Sequence, residues 1–316
     1  MTQENNQTMP NTVPNAFPEF MNAKQVAEYL DLNEKKVYAL ANDGLLPATK
    51  VTGKWLFPKA MLDKWLLESC HNGAMNDRLL IAGSDDPLLQ LIIGDIANKI
   101  GSTAMVGYTS TGTRQGLAML SKGHVDMCAI HWGHAHEAPL RHPALVQQYS
   151  GHRNWVLIHA FERQQGLVVS QEIAECVNNR SLMPQELIAA RWRWALRQEG
   201  AGSMRALSEW LHNHAYTIDM LNHVDTCNSE RELASMIARG QADVGCASQS
   251  TAGEFGLGFI PLCTEAFELV IPKNIYFRTL QQQLLSALTD PLVQAKGDQL
   301  GGYNFERTGQ QVWSAN

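Results

Sequence analysis

Along residues 20–69, apolar positions recur at helical spacing. Val26, Tyr29 and Leu30 fall at i, i+3 and i+4, and Asn22 ahead of them is a good N-cap. After Asp31-Leu32, Asn33 caps a second predicted helix over 34–42 with Val37 and Leu40 inward, and Asp43-Gly44 stops it. The stretch 48–57 is rich in β-formers on either side of Thr52-Gly53, which predicts a hairpin. Pro58 opens a last helix with Met61, Leu62, Trp65 and Leu66 on one side. From residue 79 the pattern changes to alternating strand-like and helix-like segments: strand 79–82, helix 88–99, strand 105–108, helix 115–121, strand 125–130.

The first module, two short helices joined by a tight turn and then a wing and a helix, is a winged helix-turn-helix layout. In the second, Lys122-Gly123-His124-Val125-Asp126-Met127-Cys128-Ala129 resembles Arg239-Gly240-Gln241-Ala242-Asp243-Val244-Gly245-Cys246. Both follow an amphipathic helix and both run basic-Gly-x-x-Asp into a strand. This predicts two similar α/β halves with a cleft between them.

Composition adds limits. The 316 residues suffice for two or three domains, and 45% hydrophobic with 18% charged residues is globular. No run of about 18 uncharged apolar residues exists, so no membrane span is expected. Residues 1–19, rich in Asn, Gln, Thr and Pro, read as a disordered leader without signal-peptide character, which points to the cytoplasm. The polar segment 70–77 reads as a linker. None of the six cysteines forms a CxxC pair, so reduced, buried thiols are expected. The net charge of −6 confines any DNA-binding surface to a local patch.

The stretches Met21-Asn22-Ala23-Lys24-Gln25-Val26-Ala27-Glu28-Tyr29-Leu30, Lys36-Val37-Tyr38, Gly44-Leu45-Leu46-Pro47 and Trp55-Leu56-Phe57-Pro58 resemble the excisionase-like helix-turn-helix family. The resemblance implies that the second helix enters the major groove and the wing touches the backbone. Asn33, Lys35, Lys36 and Tyr38 are then candidate groove and phosphate contacts, and Lys50, Thr52, Lys54 and Trp55 the wing candidates. The structural alternatives are a solvated face for the lysines and core packing for Trp55. So short a module implies a homodimer on one palindromic double-stranded operator.

In the second module, Gly83-Ser84-Asp85-Asp86-Pro87-Leu88-Leu89, Gln164-Gln165-Gly166-Leu167-Val168-Val169, the stretch 200–205, Gly258-Phe259-Ile260-Pro261-Leu262 and Glu268-Leu269-Val270-Ile271-Pro272 resemble the periplasmic-binding-protein-like domain of cytoplasmic regulators, which is similar to molybdate-binding proteins. The resemblance implies an α/β, two-lobed (type II) domain with Rossmann-like lobes. Lobe 1 would span about 78–158 and 272–316, lobe 2 about 162–265, with 155–160 and 267–271 as crossover strands. It also implies an oxyanion effector of the molybdate or tungstate class and no cofactor. The chain departs from the family pattern at Phe267-Glu268, where Tyr-Asp is expected, and at Thr109-Ser110-Thr111-Gly112, where Ser-x-Gly-Gly is common.

Three small-residue turns precede helices, where unpaired N–H groups and Ser or Thr hydroxyls suit a dianion. They nominate Ser84, Ser110, Thr111 and Ser203 as ligand contacts; Arg205 and Arg114 are candidates to face the cleft, with a solvated helix side or a bridge between the lobes as the alternatives. Ordinary helix capping is the alternative for each serine. In His131-Trp132-Gly133-His134-Ala135-His136 the spacing matches no regular metal motif, so no metal is expected; the resemblance implies a loop leaving a strand here, which makes His131 a cleft candidate, with a surface loop as the alternative. Arg191-Trp192-Arg193-Trp194 resembles a nucleic-acid patch but fits a strand of the second lobe better. No GxSxG, Walker A, GxGxxG after a strand or zinc-protease motif is present, so an enzyme is not expected. The remaining alternatives are an organic effector, for which Trp132 or Tyr108 offers an aromatic surface, and a ligand-independent DNA-binding protein.

Overall fold

The computed structural model describes residues 17–51, 53–69, 78–189 and 191–315. Leader residues 1–16, Thr52 of the wing and the 70–77 linker therefore lie outside the described residues. The chain divides into two compact units, Met1–Asn76 and Asp77–Asn316.

The first unit runs β1 (Phe20–Met21), α1 (Ala23–Tyr29), α2 (Glu34–Asn42), β2 (Thr49–Val51), β3 (Lys54–Pro58) and α3 (Lys59–Ser69). Asn22 caps α1 in a full capping box with Gln25, and the Asn33 side chain accepts from the Lys36 N–H at 2.8 Å. The hairpin β2–β3 is extended by β1 into a three-stranded sheet, order β1-β3-β2. Met21, Val26, Val37, Phe57 and Leu62 form its core. Two expectations are corrected. Met61 is not on the inner side of α3 but 56% exposed, because Leu62 fills the core position. The folded unit also includes Phe17, whose ring packs edge-on against Tyr29, so the leader as drawn to residue 19 was too long.

The second unit has β4 (Arg78–Gly83), α4 (Pro87–Ile100), β5 (Met105–Ser110), α5 (Thr113–Ser121), β6 (Met127–Ile130) and α6 (Ala138–Val146). It continues through β7 (Trp155–Val169), α7 (Gln171–Asn178), β8 (Arg193–Arg197), α8 (Gly202–Asn213), β9 (Asn222–Cys227), α9 (Glu230–Ala238), β10 (Val244–Ser248) and α10 (Gln249–Glu254). It ends with β11 (Gly258–Pro272), α11 (Thr279–Leu288), α12 (Pro291–Leu300), β12 (Tyr303–Asn304) and β13 (Gln311–Ser314).

Among the described residues one curled sheet runs β5-β4-β6-β11-β7-β10-β8-β9, with β12 and β13 paired to β7. It reads the same from either edge. The first lobe places its second, first and third strands in the order β5-β4-β6, all parallel, and the second lobe repeats this as β9-β8-β10. Each lobe is covered on both faces: α4, α11 and α12 pack on one face of the first, α5 and α6 on the other, and α7 and α8 lie opposite α9 in the second. The predicted crossover strands are longer than expected. β7 and β11 pair antiparallel along their whole length, from Trp155–Pro272 to Val169–Gly258, with irregularities at Pro261/Cys263 and Phe267/Glu268. This is the two-lobed architecture of periplasmic binding proteins.

The run Arg191-Trp192-Arg193-Trp194 leads into β8 of the second lobe, with Arg191 exposed and Trp192 half-buried ahead of the strand. Trp194 is fully buried in β8 and donates its indole N–H to the Leu187 carbonyl, and Arg193 pairs with Asp243.

Candidate functional site

The C-terminal ends of the parallel strands of both lobes meet at the cleft, and five helices begin there: α4, α5, α8, α9 and α10. A helix start presents unpaired N–H groups and positive potential. Three of the five are filled by the chain's own carboxylates. Asp86 caps α4 by accepting from the Leu89 N–H. Asp85, in the first lobe, reaches across to accept from the Glu230 N–H at the start of α9, 2.9 Å away. Glu230 in turn accepts from the Ser248 N–H and hydroxyl ahead of α10.

These carboxylates converge on Arg163, in the middle of β7 and 1% exposed. Its guanidinium donates to Glu265 (2.7 Å), the Asp85 carbonyl (2.7 Å), Asp86 (3.0 Å), His131 Nδ1 (2.8 Å) and Glu230 (3.4 Å). A buried cation needs this density of partners. Burial holds the Asp85 and Asp86 carboxyls above the usual range, and pushes Glu265 up to about 7 even beside Arg163. Burial, reinforced by Arg163 and Arg197, keeps His131 well below its usual value and so neutral.

The other two helix starts, α5 at Gly112 and α8 at Ala201, have no side-chain cap. They face each other across the cleft: a Cβ on Gly112 would lie 3.4 Å from the Ala201 Cα. Two buried polar atoms at this place have no protein partner, Ser203 Oγ and His131 Nε2. The tautomer of His131 follows from Arg163. A guanidinium only donates, so Nδ1 accepts and the neutral ring carries its proton on Nε2. That N–H lies against Gly202, where a Cβ would come within 1.7 Å of Nε2.

Of the residues nominated from sequence, Ser203 and His131 come together here. Ser84 is nearby but engaged, its hydroxyl 2.8 Å from Thr113 Oγ1 and its carbonyl accepting from Tyr108 OH. Thr113, not singled out from sequence, joins Ser84 to His131 by donating to the His131 carbonyl at 3.0 Å. Ser110 closes β5 and contacts the Asn228 carbonyl of the other lobe at 3.4 Å, while the Thr111 hydroxyl makes a long local contact to the Gly112 carbonyl and its backbone N–H donates to the Gly83 carbonyl. Arg205 sits at the mouth, over the Trp132 ring and paired with Glu209 at 2.7 Å. Arg163, Asp85, Asp86, Glu230 and Glu265 were missed. One signal was available: the polar run Glu162-Arg163-Gln164-Gln165 interrupts two apolar stretches in what is otherwise a buried strand.

In the first unit, Lys35, Lys36 and Tyr38 are exposed along α2. Asn33 is exposed but its Oδ1 is committed to the cap of α2. In the wing, Lys54 is exposed, while Trp55 is half-buried against the core and carries Lys50 Nζ 5.6 Å over its ring. Among the described residues no three His, Cys, Asp or Glu side chains gather to hold a metal ion, and no helix is long and apolar enough to cross a membrane.

A family model for the PBP superfamily domain matches residues 96–289, and one for a helix-turn-helix domain matches residues 20–69. The chain is 24% identical over 312 residues, 92% of its length and 96% of the relative's, to the uncharacterized protein YvgK of Bacillus subtilis (strain 168). It is 32% identical over 98 residues, 31% of its length and 85% of the relative's, to an uncharacterized protein in the ferredoxin 2Fe-2S gene 5' region of Clostridium pasteurianum. Similar solved structures include an ABC-type phosphate transport receptor from Vibrio cholerae (TM-score 0.43, 11% identity, 71% of this chain and 98% of that one). Another is the effector-binding domain of QuiR in complex with shikimate (TM-score 0.44, 8% identity, 67% and 94%).

Proposed function

The chain belongs to the PBP superfamily and carries a helix-turn-helix domain ahead of that fold, and from this premise we propose that it is a transcription regulator whose DNA affinity is set by a small anion bound between the lobes. The observation that carries the reading is the pair of uncapped helix starts facing each other, with Ser203 Oγ and the His131 Nε2–H buried between the lobes and lacking protein partners. Two N–H arrays and two neutral donors from opposite lobes suit an anion that binds the closed form better than the open one.

The effector class we propose is an oxyanion of the molybdate or tungstate type, in line with the sequence resemblance. The acidic cluster around Arg163 does not oppose it directly, because its carboxylates are committed to Arg163 and to helix starts of their own. DNA is met by Lys35, Lys36 and Tyr38 of α2, with Lys50 and Lys54 of the wing on phosphates, in a homodimer on a two-fold operator.

The test is a thermal-shift titration of the full chain with molybdate, tungstate, sulfate and phosphate, repeated on Ser203→Ala. A saturable rise in Tm with one oxyanion, weakened in the variant by about tenfold in affinity, supports the reading. Absence of stabilisation by every oxyanion overturns the effector class. Operator binding that no ligand alters overturns the regulator.

A further inference from the structure

The mouth of the cleft holds a second arrangement that the inner anion site does not use. Trp132 follows β6 in the first lobe. Two guanidiniums approach its ring: Arg114, in the first turn of α5, at 5.1 Å, and Arg205, in the first turn of α8 in the other lobe, at 4.9 Å. The platform is held rigidly. The Trp132 N–H donates to His142 Nε2 at 3.0 Å, and His142 Nδ1–H donates to Glu268 at 2.7 Å, next to the irregularity in β11. Gly133 then turns with φ +92°, and the Arg141 side chain crosses the space that a Cβ would need.

Above the ring lies a hollow of about 550 Å³, walled by Arg114, Gln115, Trp132, Ala201, Met204 and Arg205. That volume is far larger than a tetrahedral oxyanion needs and falls in the range of sites for small organic molecules, roughly 300–1,000 Å³. Its charge is unevenly met. Arg205 and Arg141 share one oxygen of Glu209, at 2.7 and 2.6 Å. Arg114 has no carboxylate within ion-pair distance among the described residues, and Glu199 stands at the exposed rim. Arg205 Nε is buried with no protein partner.

A flat aromatic surface flanked by two planar cations, one from each lobe, selects a flat ligand that carries negative charge. A ring stacks on indole or guanidinium faces, and a carboxylate matches the guanidinium fork with two parallel hydrogen bonds. We propose that the mouth of the cleft is a binding site for a planar aromatic carboxylate, its ring against Trp132 and its carboxylate shared by Arg114 and Arg205. Because the two arginines belong to different lobes, such a ligand bridges the lobes as well. The site differs from the inner oxyanion reading in needing neither Ser203 nor His131, although its two arginines stand in the first turns of the same helices, α5 and α8.

The test is calorimetric titration of the full chain with benzoate and 1-naphthoate, with cyclohexanecarboxylate as a control of equal charge but puckered ring. Expected are saturable binding of the aromatic acids, a tenfold or greater loss with Arg114→Ala, loss of binding with Trp132→Ala, and at least tenfold weaker binding of the control. Equal affinity for benzoate and cyclohexanecarboxylate overturns the proposal. So does aromatic binding that Trp132→Ala leaves unchanged, or none up to millimolar concentration. If Trp132→Ala does not fold, Trp132→Phe takes its place: retention of the preference for benzoate over the control supports the proposal, and loss of benzoate binding in folded Trp132→Phe overturns it. Molybdate titrated into the same variants, and benzoate into Ser203→Ala, separates the two sites: an unchanged molybdate response beside lost benzoate binding shows the inner site standing without the outer, and retained benzoate binding in Ser203→Ala shows the converse.

Discussion

Asp126 and Asp243 hold the same position in the two halves of the sheet. Asp126 donates its backbone N–H to the Leu80 carbonyl and accepts the Leu80 N–H on its side chain, and its other oxygen meets Arg78 Nε at 3.2 Å. Asp243 does the same one lobe over, to the backbone N–H and carbonyl of Arg193 and to the Arg193 guanidinium. In each lobe the residue that leads into the third strand ties down the start of the first. The basic-Gly-x-x-Asp repeat in the sequence is thus a lobe-building device that fastens the third strand beside the first in the common 2-1-3 order.

This relationship makes a lobe-specific prediction. Asp243→Ala leaves the Arg193 N–H and guanidinium without their acceptor, at a cost of about 1–3 kcal/mol. Hydrogen exchange should quicken in β8, β9 and β10 while β4, β5 and β6 keep their protection. Asp126→Ala should give the mirror image. Uniform loss of protection across both lobes in either variant would contradict the assignment.

His131 of the first lobe packs directly against Gly202 of the second. Any Cβ at position 202 enters the imidazole, whose Cδ2 and Nε2 would lie 1.6 and 1.7 Å away. The ring is held in place, because Arg163 donates to its Nδ1 and the Thr113 hydroxyl donates to its carbonyl. Gly202→Ala is therefore expected to wedge the lobes apart, with a destabilisation of about 1–3 kcal/mol from overpacking. Small-angle scattering should show a larger radius of gyration, and unfolding should begin at lower temperature. An unchanged radius together with an unchanged Tm would show that the lobes absorb the methyl group without moving.

How much of this was open to sequence reasoning differs between the units. The helix caps Asn22 and Asn33 and the hairpin around Gly53 are local events, written in neighbouring residues and so legible, whereas Pro58, read as the first residue of the last helix, closes β3 and the helix begins at Lys59. β1 was not, since two residues carry no periodicity and owe their strand to Phe57 and Pro58 across the sheet. At the cleft, Ser203 was reachable from turn chemistry and His131 from the family resemblance. The network around Arg163 was not, because its partners Asp86, His131, Glu230 and Glu265 come from four separate segments that only the folded sheet assembles. Ser84 shows the reverse error: a hydroxyl in the right turn, but spent on Thr113.

Glu265 gives the unit a pH dependence with a definite sign. Its carboxyl titrates near 7 when folded, against a usual 4.5, with burial as the main cause. Between these values the folded protein keeps a proton that the unfolded chain has released, so stability falls as pH rises through this window and levels off above it. Asp85 and Asp86, raised by burial, act in the same direction, while His131, lowered by burial, acts in the opposite sense below its usual 6.5. Glu265→Gln removes the first contribution and, through the charge coupling with Asp86, does not strengthen the second. Denaturant unfolding at about pH 5, 6 and 7 should show a smaller loss of stability toward pH 7 in the variant than in the parent. Identical slopes in the two proteins would remove Glu265 from the account.

The DNA contacts separate by what each residue does in the fold. Lys35 and Lys36 are exposed on α2, so Lys35→Ala with Lys36→Ala should leave the Tm of the first unit nearly unchanged. If both meet phosphates, operator affinity falls and the slope of log K against log salt drops by about 2, roughly one per lysine. Trp55 behaves otherwise. It is half-buried in the core beside Phe57 and carries Lys50 over its ring, so Trp55→Ala should lower stability by about 2–4 kcal/mol and weaken DNA binding only through that loss. Asn33→Ala is intermediate in kind: it removes the cap of α2, at a cost of about 1 kcal/mol, and tilts the helix that would enter the groove. Fluorescence anisotropy with labelled operator at several salt concentrations, beside thermal melts of each variant, distinguishes the three. A salt slope untouched by the double lysine variant would move the phosphate contacts off α2 and onto the wing.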